Sequence, residues 1–68
     1  MNKYIVFFND IQFSNLYYYK GVKYRISRED KDNYILNQYI EPFIVSKKFE
    51  NKDYSVGDII VESNRYDY

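Results

Sequence analysis

Four residue types that favour β-strands dominate this chain, since Tyr, Phe, Ile and Val make up 28 of its 68 residues. Their branched or aromatic side chains fit the pleated, half-buried surface of a sheet. Alanine is absent and there are only two leucines and one methionine, so the apolar residues that form helices best are nearly missing. The composition therefore predicts one small all-β domain whose core consists largely of aromatic rings.

The clearest strand pattern runs from residue 22 to residue 27, directly after Gly21. Three apolar side chains alternate there with three polar ones: Val22, Tyr24 and Ile26 against Lys23, Arg25 and Ser27. Because successive side chains of a strand point to opposite faces, the apolar set is predicted to lie in the core. The polar set should then face water.

Four further strands are predicted from short apolar runs bounded by turn residues: Tyr4–Phe8, Tyr34–Leu36, Tyr39–Val45 and Ile59–Val61. The turn pair Asn9–Asp10 ends the first, and Asn37–Gln38 is the turn after the second. Pro42 cannot donate a hydrogen bond to a sheet, so it should lie at a sheet edge or at a strand start.

The segments between these strands are expected to be polar turns and loops. Residues 28–33 are all polar and predict a solvated hairpin loop, and residues 51–53 predict another loop. Residues 55–58 predict a turn before the last strand. Residues 63–68 are expected to form a frayed tail, because chain ends are usually loose.

Two stretches fit these patterns less simply. Ile11–Tyr19 contains many aromatic residues and is compatible with a strand, with a loop anchored by aromatic side chains, or with a helix. Ser46–Glu50 is too polar for a strand and too short for a full helix. We expect a single helical turn there, capped by Ser46 and with Phe49 pointing inward.

The chain lacks the residues on which several classes of site depend. Without Cys or His it has no disulfides, no thiol nucleophile and none of the usual zinc or haem ligands. The chief candidates for acid–base catalysis are three carboxylates close together in the sequence, Glu29, Asp30 and Asp32. They lie in the expected solvated loop, where nothing raises a carboxyl pKa as acid–base catalysis requires. We therefore predict a protein that is not an enzyme and binds no metal or cofactor.

Charge and hydropathy patterns bear on location and partners. Ten basic and ten acidic residues cancel, so no overall field attracts nucleic acid or an anionic membrane. The longest apolar run, Ile5 to Phe8, is far shorter than the ~20 residues of a membrane helix. It is also too short for a signal-peptide core. These features favour a cytoplasmic protein without a membrane partner.

Part of the chain resembles a known group of small proteins. The segments GVKYRISREDKDNYIL (residues 21–36) and FIVSKKFE (residues 43–50) resemble the small SH3-like β-barrel proteins of phages and mobile elements in AT-rich Gram-positive bacteria. The resemblance covers residues 16–50 and implies a barrel of five or six short antiparallel strands with one helical turn near Ser46–Glu50. Asn37–Gln38 departs from it, because the family has a glycine-containing turn there.

Seven residues form the predicted partner-binding surface: Tyr17, Tyr18, Tyr19, Lys20, Lys23, Arg25 and Tyr39. Three consecutive tyrosines cannot all face one core, so at least one should be exposed beside Lys23 and Arg25. An exposed aromatic ring next to cations can anchor a protein partner or stack nucleic-acid bases. The simpler alternative is that these rings lie flat on the surface of the domain.

The functional prediction combines this surface with the family resemblance. We expect a non-catalytic, phage- or prophage-encoded protein that inhibits or modulates a larger host protein by covering part of its surface. The alternative is a nucleic-acid-binding barrel that stacks single-stranded bases on exposed tyrosines. A third interpretation is a homo-oligomeric structural protein that pairs exposed strand edges.

Overall fold

The computed structural model describes residues 2–58, and within this range the chain forms eight short strands and one 3₁₀ turn. The strands are β1 (Lys3–Phe7), β2 (Ile11–Phe13), β3 (Leu16–Tyr18), β4 (Tyr24–Arg25), β5 (Arg28–Glu29), β6 (Asn33–Leu36), β7 (Phe43–Ser46) and β8 (Tyr54–Asp58), and the turn spans Lys47–Phe49. They form three antiparallel sheets: sheet 1 with the order β4-β1-β8, sheet 2 with β2-β3, and sheet 3 with β5-β6-β7. The all-β prediction is confirmed, and none of these sheets closes on itself within residues 2–58.

Sheet 1 is centred on β1, the strand predicted from the first apolar run. Ile5 and Phe7 are buried in the core, as alternation along the strand requires. Ile5 lies opposite Tyr24 on one side and Val56 on the other. The apolar face of this sheet is therefore continuous across all three strands.

The strand predicted between residues 22 and 27 is correct in its inner face and wrong in its length. Tyr24 packs against the core and Ile26 is fully buried, whereas Val22 is 44% exposed. Val22 belongs to a turn instead, in which its N–H donates to the Tyr19 carbonyl and Gly21 has a φ of +78°. Only glycine adopts that backbone conformation without strain, so the extended chain begins after it.

The same segment then changes sheets. The Ile26 N–H donates to the Lys3 carbonyl of β1, and the next N–H, that of Ser27, donates to the Ile35 carbonyl of β6. Residues 24–29 are consequently one bent strand shared by sheets 1 and 3.

The stretch Ile11–Tyr19, which the sequence left open, is a hairpin. Strands β2 and β3 pair from Ile11↔Tyr18 to Phe13↔Leu16 around a two-residue turn. Ser14 occupies the left-handed region of that turn with a φ of 58°. The strand interpretation is right, and the helical alternative is wrong.

The polar loop predicted at residues 28–33 is shorter than expected. Arg28 and Glu29 are paired with β6, and Asn33 already belongs to that strand. The remaining turn is tied by the Asp30 carboxylate, which accepts hydrogen bonds from the backbone N–H groups of Asp32 and Asn33 at 2.9 and 2.8 Å. These bonds hold the pKa of Asp30 below its usual value.

Glu29 links two sheets through an ion triad. Its carboxylate pairs with Lys47 at the 3₁₀ turn and, at 3.3 Å, with Lys3 of β1. The hydrogen bond from Lys47 and then the charge and hydrogen bond of Lys3 hold the pKa of Glu29 below its usual value. A residue expected to be solvated therefore ties sheet 1 to the end of sheet 3.

The second half of the chain confirms some predicted boundaries and corrects others. Residues 39–42 form a loop, and Pro42 directly precedes β7, at the strand start as expected. The Ser46 hydroxyl caps the 3₁₀ turn by accepting from the Lys48 N–H at 3.3 Å. Phe49, however, is 44% exposed instead of inward, because its one-turn helix lies on the surface.

Residues 55–58, predicted as a turn, form most of β8. Gly57 suggested a turn, but it lies opposite Tyr4 in sheet 1. The Tyr4 ring fills the place of the missing side chain, since a Cβ atom on Gly57 would lie 2.6 Å from the Tyr4 hydroxyl. The predicted strand Ile59–Val61 and the tail 63–68 lie outside the described residues.

The core is organised around the ring of Tyr18. This ring stacks on Phe43 of sheet 3, with centroids 5.0 Å apart, and meets Phe7 and Tyr24 of sheet 1 at 5.7 and 4.9 Å. Tyr18 itself belongs to sheet 2, so one side chain joins all three sheets. Its hydroxyl is buried and has no hydrogen-bond partner within residues 2–58.

We predict that Tyr18→Phe stabilises the protein by about 1 kcal/mol, because it removes an unpaired buried hydroxyl and keeps the ring. Tyr54→Phe is the matched control. The Tyr54 hydroxyl donates to the Ser46 carbonyl at 2.6 Å, so its loss should destabilise by about 1 kcal/mol. Urea unfolding measures both changes, and destabilisation by Tyr18→Phe would show that its hydroxyl is paired.

Buried tyrosines also predict alkaline unfolding. Burial raises the pKa of Tyr54 to about 12, and burial together with the hydrogen bond to Glu50 raises the pKa of Tyr34 well above its ordinary value. Since the unfolded phenols ionise near pH ~10, this stabilisation is complete below that pH and is lost as pH rises towards about 12. The free energy of unfolding should fall over this window by up to ~1.4 kcal/mol per pH unit for each such tyrosine. The free energy of unfolding of Tyr54→Phe should fall less over the same pH window. Equal slopes of this free energy against pH in the variant and the wild type would contradict the raised pKa of Tyr54.

Candidate functional site

The loop between β6 and β7, residues 37–42, contributes residues to two cavities. Asn37 and Gln38 face a polar pocket with Arg25 and Ser27, which we call the Arg25 pocket. The next three residues line a more apolar groove together with two residues of the β2–β3 hairpin, which we call the hairpin groove: Asn15, Leu16, Tyr39, Ile40 and Glu41. Consecutive residues of one short loop therefore line a polar cavity and a more apolar one.

The hairpin groove has a volume of about 390 Å³. Its floor includes Leu16, which is buried, and its rim includes Ile40, which is fully exposed. The Tyr39 hydroxyl donates to the Tyr17 carbonyl at 2.7 Å and so holds the loop against the hairpin. Strand β3 positions Leu16 and Tyr17 on opposite sides, because alternation sends Leu16 inward and Tyr17 outward.

The Arg25 pocket has a volume of about 300 Å³ and is held open by hydrogen bonds between its own walls. The Asn37 side-chain amide donates to the Ser27 hydroxyl, and the Gln38 amide donates to the Arg25 carbonyl, both at 3.1 Å. The Arg25 guanidinium donates to the Asn2 side-chain oxygen at 3.2 Å. No carboxylate of residues 2–58 forms an ion pair with it.

The structure brings two of the seven predicted binding residues to these cavities, Tyr39 at the hairpin groove and Arg25 at the polar pocket. Tyr17 lines neither cavity, but its carbonyl accepts a hydrogen bond from the Tyr39 hydroxyl. Tyr18 is fully buried, so a partner cannot reach it and its inclusion was wrong. The expectation that at least one of the three consecutive tyrosines is exposed is confirmed by Tyr17 and Tyr19.

The other three predicted residues lie elsewhere on the surface. Tyr19 is 56% exposed, and its backbone N–H donates to the Tyr24 hydroxyl at 2.7 Å. The Lys20 N–H donates to the Asp10 carboxylate at 2.9 Å, which fixes the turn after β3. The Lys23 amine lies 4.9 Å from the centre of the Tyr4 ring, on the outer face of sheet 1. None of these residues lines either cavity.

Sequence reasoning missed the loop itself. Asn37 and Gln38 were assigned to a turn without a role, and Tyr39 to Glu41 were assigned to a strand. The proline two residues beyond Ile40 was the available signal, since it favours an extended but unpaired chain before it.

Two of the predicted acid–base candidates, Glu29 and Asp30, are bound to other groups of the protein. Glu29 is committed to two lysines and Asp30 to backbone N–H groups, and both have pKa values below the usual range. A general acid at neutral pH needs the opposite shift. Within residues 2–58 no three metal-ligating side chains cluster, and no helix there is long and apolar enough to span a membrane.

Comparison of the chain with protein-family models, curated proteins and solved structures finds no match.

We predict that Tyr39→Phe loosens the loop without unfolding the domain. Loss of its hydrogen bond to the Tyr17 carbonyl should speed amide hydrogen exchange at residues 38–41 and change the free energy of unfolding by less than ~1 kcal/mol. Tyr17→Phe is the control, because only its backbone carbonyl takes part. Equal exchange rates in Tyr39→Phe and wild type would show that this bond does not hold the loop.

Proposed function

We propose that this chain is a non-catalytic binding protein that covers the surface of a larger protein partner with its β6–β7 loop. The observation that supports this most directly is that the loop lines two different cavities. One is the apolar groove at Ile40, and the other is the polar pocket at Arg25. Protein interfaces combine an apolar anchor with polar groups that fix orientation. Tyr17, Tyr39 and Arg25 supply residue types that often dominate interface affinity.

The surface charge of the described residues favours a protein partner over nucleic acid. Lys3 and Lys47 are engaged with Glu29, and the Lys23 amine rests over the Tyr4 ring. Glu41 places a negative charge in the hairpin groove, where a phosphate backbone would be repelled. The exposed Tyr19 beside Lys20 is the feature that keeps base stacking as the second candidate function.

The fold family and the origin of the chain belong to the same proposal. The bent strand at residues 24–29, shared between two sheets, supports an SH3-like barrel arrangement of the kind that the resemblance over residues 16–50 implies. We propose a phage- or prophage-encoded protein of the host cytoplasm that inhibits a host protein by steric blocking. This part rests on analogy of size, composition and sequence.

The test is a pull-down from bacterial host lysate with and without nuclease, using the wild type and two isoleucine variants. Ile40→Asp places a charge at the groove, and Ile44→Asp places the same charge on β7, at an isoleucine that is 60% exposed and lines neither cavity. We expect one stoichiometric protein that survives nuclease, with at least tenfold weaker capture by Ile40→Asp, as for a central anchor worth ~1.4 kcal/mol or more. The Ile44→Asp variant should bind normally.

Both variants should keep melting temperatures close to that of the wild type, because they alter exposed side chains. Loss of all captured material on nuclease treatment would favour the nucleic-acid function. Equal capture by the two variants would place the partner surface away from the hairpin groove.

A further inference from the structure

We infer that the Arg25 pocket is a carboxylate-binding site that takes an acidic side chain or a chain-terminal carboxylate of the partner. This inference rests on the proposed function, which it deepens by naming the chemistry that the partner must present. It is carried by the pocket's donors, by the unbalanced charge at Arg25 and by the position of the hairpin groove.

The pocket offers hydrogen-bond donors that its internal bonds do not consume. Ser27 accepts from Asn37, so its own O–H proton is directed elsewhere. The Asn37 and Gln38 amides each use one N–H inside the pocket walls and keep a second. The Arg25 guanidinium uses one nitrogen toward Asn2 and has further N–H groups. A ligand rich in acceptors and lacking donors fits this wall.

The charge of the pocket selects an anion with a single negative charge. Arg25 has no carboxylate partner within residues 2–58, and it is the one cation that lines the cavity there. A guanidinium matches the two oxygens of a carboxylate in a planar, bidentate pair. No lysine of residues 2–58 lines the pocket to add the second positive charge that favours a phosphate dianion.

The order of residues in the loop determines which kind of side chain must lie next to the bound carboxylate. Gln38 at the pocket is followed directly by Tyr39 and Ile40 at the hairpin groove. A partner segment that places a carboxylate at Arg25 therefore brings its neighbouring side chain to an apolar surface. The ligand class is an apolar residue next to an acidic residue or next to a carboxyl terminus.

The probe is N-acetyl-leucine, which carries one apolar side chain and one carboxylate, and its neutral isostere N-acetyl-leucinamide is the matched ligand. Both are titrated into the isotope-labelled protein while NMR follows the side-chain N–H signals of Arg25, Asn37 and Gln38. We expect saturable shifts at all three groups and affinity at least about fivefold higher for the carboxylate, in keeping with a charge-assisted bond. Arg25→Gln should remove that preference.

Arg28→Gln is the matched variant, because Arg28 is an exposed arginine of β5 that does not line the pocket. It should leave the affinity unchanged. Equal weakening by Arg25→Gln and Arg28→Gln would show attraction to general surface charge and would overturn the site. Tighter binding of inorganic phosphate than of N-acetyl-leucine would overturn the assignment to carboxylates.

The two proposals fail in different ways. If N-acetyl-leucine binds at Arg25 while Ile40→Asp captures the lysate partner as well as the wild type does, the carboxylate site stands and the proposed partner surface fails. If Ile40→Asp loses the partner while neither ligand shifts the pocket signals, the partner surface stands and the carboxylate site fails.

Discussion

The contact on which the fold depends most is the packing of aromatic rings around Tyr18. Its ring meets Phe7 and Tyr24 of sheet 1 and Phe43 of sheet 3, while its backbone belongs to the hairpin of sheet 2. Strands of two to five residues bury too little surface to hold three separate sheets together by pairing alone. In a chain without cysteine, large flat side chains supply the area that a small core would otherwise lack.

Within residues 2–58, this packing leaves one buried side-chain polar atom without a hydrogen-bond partner. The Tyr18 hydroxyl is buried without a partner inside residues 2–58, whereas the hydroxyls of Tyr34, Tyr39 and Tyr54 each have one. The ring of Tyr39 also meets that of Tyr18, at 5.6 Å and nearly perpendicular. Tyr39 therefore connects the loop to the centre of the core, and a loop held in one position in this way binds with a smaller entropic penalty.

The strand faces and the helix cap, which depend on neighbouring residues, were predicted correctly from local sequence patterns. Alternation correctly placed Tyr24 and Ile26 inward, and the capping role of Ser46 followed from its position before a polar turn. The errors arose where a residue far away in the sequence determines the local structure. Gly57 is a strand residue because the Tyr4 ring covers it, and Glu29 is half-buried because lysines from two other parts of the chain meet it. The candidate site follows the same division. Tyr39 and Arg25, which line the two cavities, were among the predicted residues, but the loop is held in place by contacts across more than ten positions of sequence.

The position of β1 between β4 and β8 has a consequence for the order of synthesis. The pairs within sheets 2 and 3 join neighbouring segments, so their loops are short and close at little entropic cost. Sheet 1 instead pairs Lys3 with Asp58, so its central strand waits for residues more than fifty positions later. While the ribosome is still extending the chain, Ile5 lacks one of its two strand partners and Phe7 lacks its partner in β8. The hairpin of sheet 2 and the three strands of sheet 3 can form first. The fold is completed only when residues 54–58 emerge and pair with β1.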